Sequence, residues 1–105
     1  MKFLSHASQK LKLRVWENGK AEIKSFMHSI GSNYFLFPKI LGNLGFTGNL
    51  DIVHNEERAI CIFDENNQST DIVFLEEGCM QVIHGSVIKQ YQVSHHFFHF
   101  NVTQI

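Results

Sequence analysis

Seven histidines in 105 residues are the first groups here whose chemistry stands out. Three of them cluster in His95-His96-Phe97-Phe98-His99-Phe100. A neutral imidazole ligates zinc, copper, nickel or iron, so such a cluster raises the question of a metal site. The spacing argues against one. On a strand, His95 and His99 share a face but stand about 13 Å apart, at ~3.3 Å per residue. A third ligand, from His54, His84 or an acid, is not placed by any spacing, and the H-x-H pair of a cupin-type metal barrel is absent. The plainer alternative is surface histidines interleaved with aromatics, and no metal or other cofactor is expected.

Nucleophilic chemistry is no better supported. Cys61 and Cys79 form no C-x-x-C and sit in or beside apolar runs, where thiols are poorly reactive. Two buried free thiols in a cytosolic protein are expected. No G-x-S-x-G elbow, phosphate-binding G-x-x-x-x-G-K-S/T loop or H-E-x-x-H helix occurs. Gly42, Gly45 and Gly48 lack a phosphate-loop spacing. Glu56-Glu57, Asp64-Glu65 and Glu76-Glu77 have the residue types for general acid and base work, but each pair falls where a turn is expected, which favours solvated hairpin ends. The chain is therefore expected to be a binding protein rather than an enzyme.

Charge is distributed unevenly. Residues 1–50 carry Lys2, Lys10, Lys12, Arg14, Lys20, Lys24 and Lys39 against Glu17 and Glu22. Residues 51–105 carry Arg58 and Lys89 against Asp51, Glu56, Glu57, Asp64, Glu65, Asp71, Glu76 and Glu77. The formal net charge is only -1, so the chain has no bulk attraction to nucleic acid or to an anionic membrane. Lys10, Lys12, Arg14, Lys20 and Lys24, with Tyr34, Phe35 and Phe37 for stacking, have the residue types of a single-strand site. The acidic half repels phosphate, and lysines guarding a strand edge explain the same pattern. Direct nucleic-acid binding is not expected.

The elements that must position these groups follow from periodicity. Leu11-Lys12-Leu13-Arg14-Val15 alternates apolar and charged residues, as a strand with one wet face does. Asn18-Gly19 reads as a turn. Ile23, Phe26, Met27 and Ile30 then mark one face of a helix over about 20–30, with Gly31 at its C-cap. Pro38 suits the first turn of a short helix over Lys39 to Leu44, within an otherwise irregular 31–50. Six strands are expected at Leu50–His54, Arg58–Phe63, Thr70–Leu75, Met80–His84, Val87–Val93 and His96–Thr103, rich in Val, Ile and Phe. The breaks between them suit antiparallel hairpins and leave no room for crossover helices.

The expected fold is α+β and mostly β: one domain over 1–105, an antiparallel meander forming a sandwich or partly open barrel, with the 20–30 helix packed on it. An apolar run that stops at Leu4 is too short for an export signal, and none reaches membrane-span length, so a cytoplasmic protein is expected.

In a meander alternate turns share an end, so Glu56-Glu57 should gather with Asp71 and Glu76-Glu77, and Asp64-Glu65 should lie opposite. Such a cluster attracts a basic partner and speeds encounter. The function this suggests is a non-catalytic protein-binding module. Its sharpest version is a bacterial immunity or antitoxin-type protein that covers a basic toxin, a nuclease above all, with carboxylates standing in for phosphates. Asp51, Glu56, Glu57, Asp64, Glu65, Asp71, Glu76 and Glu77 are the expected contacts, with Trp16 and Tyr34 as anchors. The alternative is a small-molecule-binding β-barrel lined by Phe63, Phe74, Phe98 and Phe100, with His84 as polar handle and with or without metal or catalysis. Homo-oligomerisation through a free sheet edge is compatible with both.

Overall fold

The computed structural model describes residues 11–105. Lys10 and the segment before it, on which the export-signal reading rests, lie outside the described residues. The described chain runs β1 (Leu11–Val15), α1 (Glu17–Ser29), a 3-10 turn at Tyr34–Leu36, α2 (Phe37–Asn43), β2 (Gly48–Glu56), β3 (Ala59–Phe63), β4 (Ser69–Phe74), a 3-10 turn at Glu76–Gly78, β5 (Cys79–His84), β6 (Val87–His96) and β7 (His99–Gln104). It is an α+β arrangement in which strand predominates.

All seven strands lie in one sheet in sequence order, and the sheet curls into half a barrel. From β2 to β7 it is the antiparallel meander that the short breaks imply. The sandwich alternative is corrected: there is no second sheet among the described residues, because α1 and α2 cover the inner face in its place. The order also contains a parallel pair that the pattern did not announce. β1 runs parallel to β2, with Leu11 opposite Gly48 and Val15 opposite Ile52. Parallel neighbours need a long crossover, and residues 16–47 supply it with both helices inside.

Alternation sets which face each strand buries. Leu50, Ile52, Ile60, Ile62, Ile72, Phe74, Met80 and Val93 point inward and are almost completely shielded. They meet Ile23, Phe26 and Met27 of α1 and Phe37, Ile40 and Leu41 of α2. Phe74 is the centre of this core. Its ring stacks on Phe26 at 4.7 Å and meets Phe37 edge-on at 6.2 Å. Each such buried ring contributes roughly 1.5–3 kcal/mol of transfer free energy. α2 packs against both edge strands, β1 and β7.

Two boundaries differ from the periodicity reading. α1 starts at Glu17, so Asn18-Gly19 is its first turn rather than a hairpin turn. Gly19 lies against β2: a Cβ there would stand 3.2 Å from the carbonyl carbon of Val53 and 3.3 Å from the nitrogen of His54. The glycine allows close approach of helix to strand, not a turn. The break expected at Ser94-His95 is also absent. β6 continues to His96, and the chain reverses through Phe97-Phe98 alone.

Candidate functional site

The meander places alternate turns at opposite ends of the sheet. Residues 57–58, 75–78 and 97–98 share one end, where β1 also leads into Trp16. Residues 64–68 and 85–86 lie at the other.

Glu56, Glu57, Glu76 and Glu77 gather at the first end, and all four are exposed. Two groups that the sequence reading did not single out join them. Glu22 reaches over from α1 and accepts a hydrogen bond from the Arg58 backbone N–H at 2.8 Å. Its other carboxylate oxygen stands 3.6 Å from His54 Nε2, an ion pair whenever that imidazole is protonated. Arg58 Nη1 faces Glu76 Oε2 at 3.5 Å. Between α1 and these turns lies a hollow of about 240 Å³ lined by Phe26, Phe74 and Leu75, with Glu22, Arg58, Glu76 and Glu77 around it. Five carboxylates thus share this end with one guanidinium.

The remaining acids are elsewhere. Asp64 is consumed by its own turn, accepting from the N–H groups of Asn66 at 2.8 Å and Gln68 at 3.0 Å. Glu65, at the same far end, accepts from Asn49 Nδ2 at 2.7 Å. Asp51 lies on the outer face, where Arg14 grips it with Nε at 2.9 Å and Nη2 at 3.1 Å. That pairing raises the Arg14 pKa further, the hydrogen bond contributing most and the Asp51 charge next. Asp71 is the correction to the expected grouping. It faces Cys61 on the outer face and lies in the strand rather than at the Glu76-Glu77 turn. Burial first, then the hydrogen bond and charge of Asp71, push the Cys61 thiol up to about 11. Both cysteines are free, but they are half-buried rather than buried.

The two aromatic anchors separate as well. Trp16 is 55 % exposed beside the acid-rich end. Tyr34 lies with Lys20, Lys24, His28 and Phe35 around a different cleft, on the basic flank of α1. Lys20 Nζ sits 5.6 Å from the Tyr34 ring centre. Burial, and to a lesser extent the Glu17 charge, raise the Tyr34 pKa.

The histidine cluster is a hairpin, not a continuous strand. His96 and His99 face each other across it, while His95 lies on the other face, stacked on Phe100 at 4.4 Å. Among the described residues no three His, Cys, Asp or Glu side chains converge as metal ligands would. Nor do the four phenylalanines share a cavity. Phe74 is core, Phe63 is on the outer face, Phe98 is exposed at the hairpin tip, and Phe100 packs on His95. His84 contacts Thr70 at 3.2 Å at the far end.

Backbone strain distinguishes the two ends further. Four non-glycine residues among those described have left-handed backbone: Arg58 (φ 65°), Asn67 (φ 62°), Glu77 (φ 61°) and Phe97 (φ 55°). Asn67 is at the far end, and asparagine tolerates this region. The other three lie in the three turns of the acid-rich end. For such residues the conformation costs roughly 1–2 kcal/mol each. The Phe97-Phe98 tip is the sharpest case. Two-residue hairpin loops favour Asn, Asp and Gly, yet here two phenylalanines stand in solvent, 87 % and 81 % exposed. The sequence signal for it was a double aromatic between histidines, which propensity assigns to a strand.

No family model, curated protein or solved structure matches this chain. Among the described residues, no helix is long and apolar enough to cross a membrane.

Proposed function

We propose that this chain is a non-catalytic protein-binding module of the immunity or antitoxin kind, acting in the bacterial cytoplasm. It presents the acid-rich end of its sheet to a basic partner, for which a toxin nuclease is the best fit. The observation that carries this reading is the coincidence of charge and strain at one end. Carboxylates of Glu22, Glu56, Glu57, Glu76 and Glu77 share that end with a single guanidinium, beside turns that hold Arg58, Glu77 and Phe97 in a costly backbone conformation. Strain of this kind persists where structure over-determines it, and it concentrates at binding sites.

The hollow beside Arg58 suits one type of contact. Its floor of Phe26, Phe74 and Leu75 accepts an aliphatic stem, and its carboxylates accept a cationic head. A lysine or arginine has both parts. A nuclease site is rich in such side chains because it holds phosphate. The surrounding negative potential speeds encounter and weakens as salt screens it. Trp16, Phe97 and Phe98 add exposed apolar area beside the charges, the combination found at interface hot spots.

The test is a titration. The protein encoded by the neighbouring reading frame is purified, and its nuclease activity is measured as this chain is added. The proposal expects loss of activity at a one-to-one ratio, and recovery when Glu56, Glu57, Glu76 and Glu77 are all changed to Lys. Full nuclease activity at a large excess of the wild-type chain would refute the nuclease assignment.

A further inference from the structure

The two edges of the sheet are not equally guarded. β1 carries Lys12 and Arg14 on its solvent face. β7, at the other edge, has neither lysine nor proline, and no Asp, Glu, Lys or Arg follows Lys89 in the sequence. Charge and proline are the ordinary means of preventing edge-to-edge pairing, and β7 has neither.

The hydrogen-bond parity of β7 is fixed. In an antiparallel ladder every second residue bonds to its neighbour strand, and the residues between point their N–H and C=O away. His96 and His99 close the two-residue hairpin, and the Ile105 N–H donates to the Gln90 carbonyl at 2.8 Å. His99, Asn101 and Thr103 therefore bond to β6. Phe100, Val102 and Gln104 direct their backbone groups away from β6. No backbone hydrogen bond among the described residues uses those groups.

We propose that β7 pairs antiparallel with β7 of a second copy of this chain, about a two-fold axis at Val102. This register places Val102 opposite Val102 of the copy, Phe100 opposite Gln104 and Gln104 opposite Phe100. It satisfies all six open donors and acceptors in each chain's set of three residues. A two-fold also brings like side chains together, which is why the absence of charge selects a second copy. The same operation at β1, centred on Leu13, would set the unpaired Lys12 opposite the Arg14–Asp51 ion pair of the copy and crowd charged side chains at the seam. On β7 the outer-face pairs are Asn101 with Thr103, both exposed and uncharged. Closed two-fold dimers are the commonest assembly of identical chains. The surface is the backbone edge of β7, and the proposal stands or falls independently of the partner at the acid-rich end.

The experiment is sedimentation equilibrium from micromolar to submillimolar concentration, joined to a charge swap. The wild-type chain should approach twice its monomer mass. Asn101→Lys with Thr103→Lys sets lysines across the axis and should shift the dissociation constant upward at least tenfold. Asn101→Glu with Thr103→Glu should do the same. Mixing the two double variants should restore a dimer of one copy each, a result that misfolded chains cannot give. Amide exchange supplies the second readout: Phe100, Val102 and Gln104 should become protected as concentration rises. A monomer mass throughout the range would overturn the proposal. So would a dimer that both double variants leave intact while those three amides exchange freely.

Discussion

The two ends of the sheet both join antiparallel neighbours and solve the turn problem in different ways. At the far end, Asn67 and Gly85 take the left-handed positions, and the Asp64 carboxylate caps the loop that follows β3. These are the residues that a turn accepts at least cost. At the acid-rich end the same backbone region is occupied by Gly78 but also by Arg58, Glu77 and Phe97. The three that are not glycine are held there by register rather than by preference. The Arg58 N–H bonds to Glu22, and its carbonyl accepts from the Phe74 N–H at 2.7 Å. The Glu77 carbonyl accepts from the Gln92 side chain. Phe97 is fixed by the His96–His99 pair. The far end uses residues that suit its turns, and the acid-rich end holds three that do not. That contrast, and not the charge count alone, locates the proposed binding surface.

The contrast can be broken at either end. The largest effect on stability is expected at the far one. Asp64→Ala removes both hydrogen bonds of the 64–68 loop and should cost about 1–2 kcal/mol in urea denaturation, with partner binding unchanged. At the acid-rich end the sign reverses. Arg58→Gly, Glu77→Gly and Phe97→Gly each relieve left-handed strain and give back part of it as chain entropy. Each should therefore gain roughly 0.5–1 kcal/mol, and Glu77→Gly and Phe97→Gly should also weaken partner binding, the first by losing a carboxylate and the second by losing exposed apolar area. Stabilisation together with lost function is the signature of a strained site. If these glycine variants unfold at lower denaturant than wild type, the strain argument fails.

The smallest effect concerns Cys61, which belongs to neither end. Its thiol ionises at about 11 in the folded chain against an ordinary 9.0. Between these values the unfolded chain releases the proton first. Stability should therefore fall as pH rises from about 9 towards about 11 and be unaffected by this group below that range. Cys61→Ala should flatten that decline in thermal melts. At neutral pH, Cys61 should react slowly with iodoacetamide, as a thiol held protonated does.

Much of the architecture was legible because alternation is local. Leu11–Val15 and the apolar runs after Leu50 carry their own period, and short polar breaks force antiparallel neighbours. The sharing of an end by Glu56-Glu57 and Glu76-Glu77 followed from that topology. Other features were not legible, for separable reasons. Asn18-Gly19 mimics a turn because a glycine needed for helix-to-strand contact looks the same as one needed for left-handed backbone. The parallel β1–β2 pair depends on a crossover whose ends meet only in three dimensions. Glu22 lies in the basic half of the sequence, and only the packing of α1 brings it to Arg58. Asp71, inside the expected strand, was grouped with the Glu76-Glu77 end, whereas register places it near the start of β4 beside Cys61. The Phe97-Phe98 reversal has no turn chemistry to read, since aromatic residues argue for strand.

The measurement that bears most directly on the proposed binding end is a pair of charge reversals read as association rate with the basic partner, at low and at raised salt. One variant carries Glu56→Lys, Glu57→Lys, Glu76→Lys and Glu77→Lys; the other carries Asp64→Lys and Glu65→Lys. The account predicts that the first slows association at least tenfold and abolishes its fall with salt, while the second leaves the rate within about twofold of wild type. Equal losses from both variants, or a loss from the second alone, would contradict it.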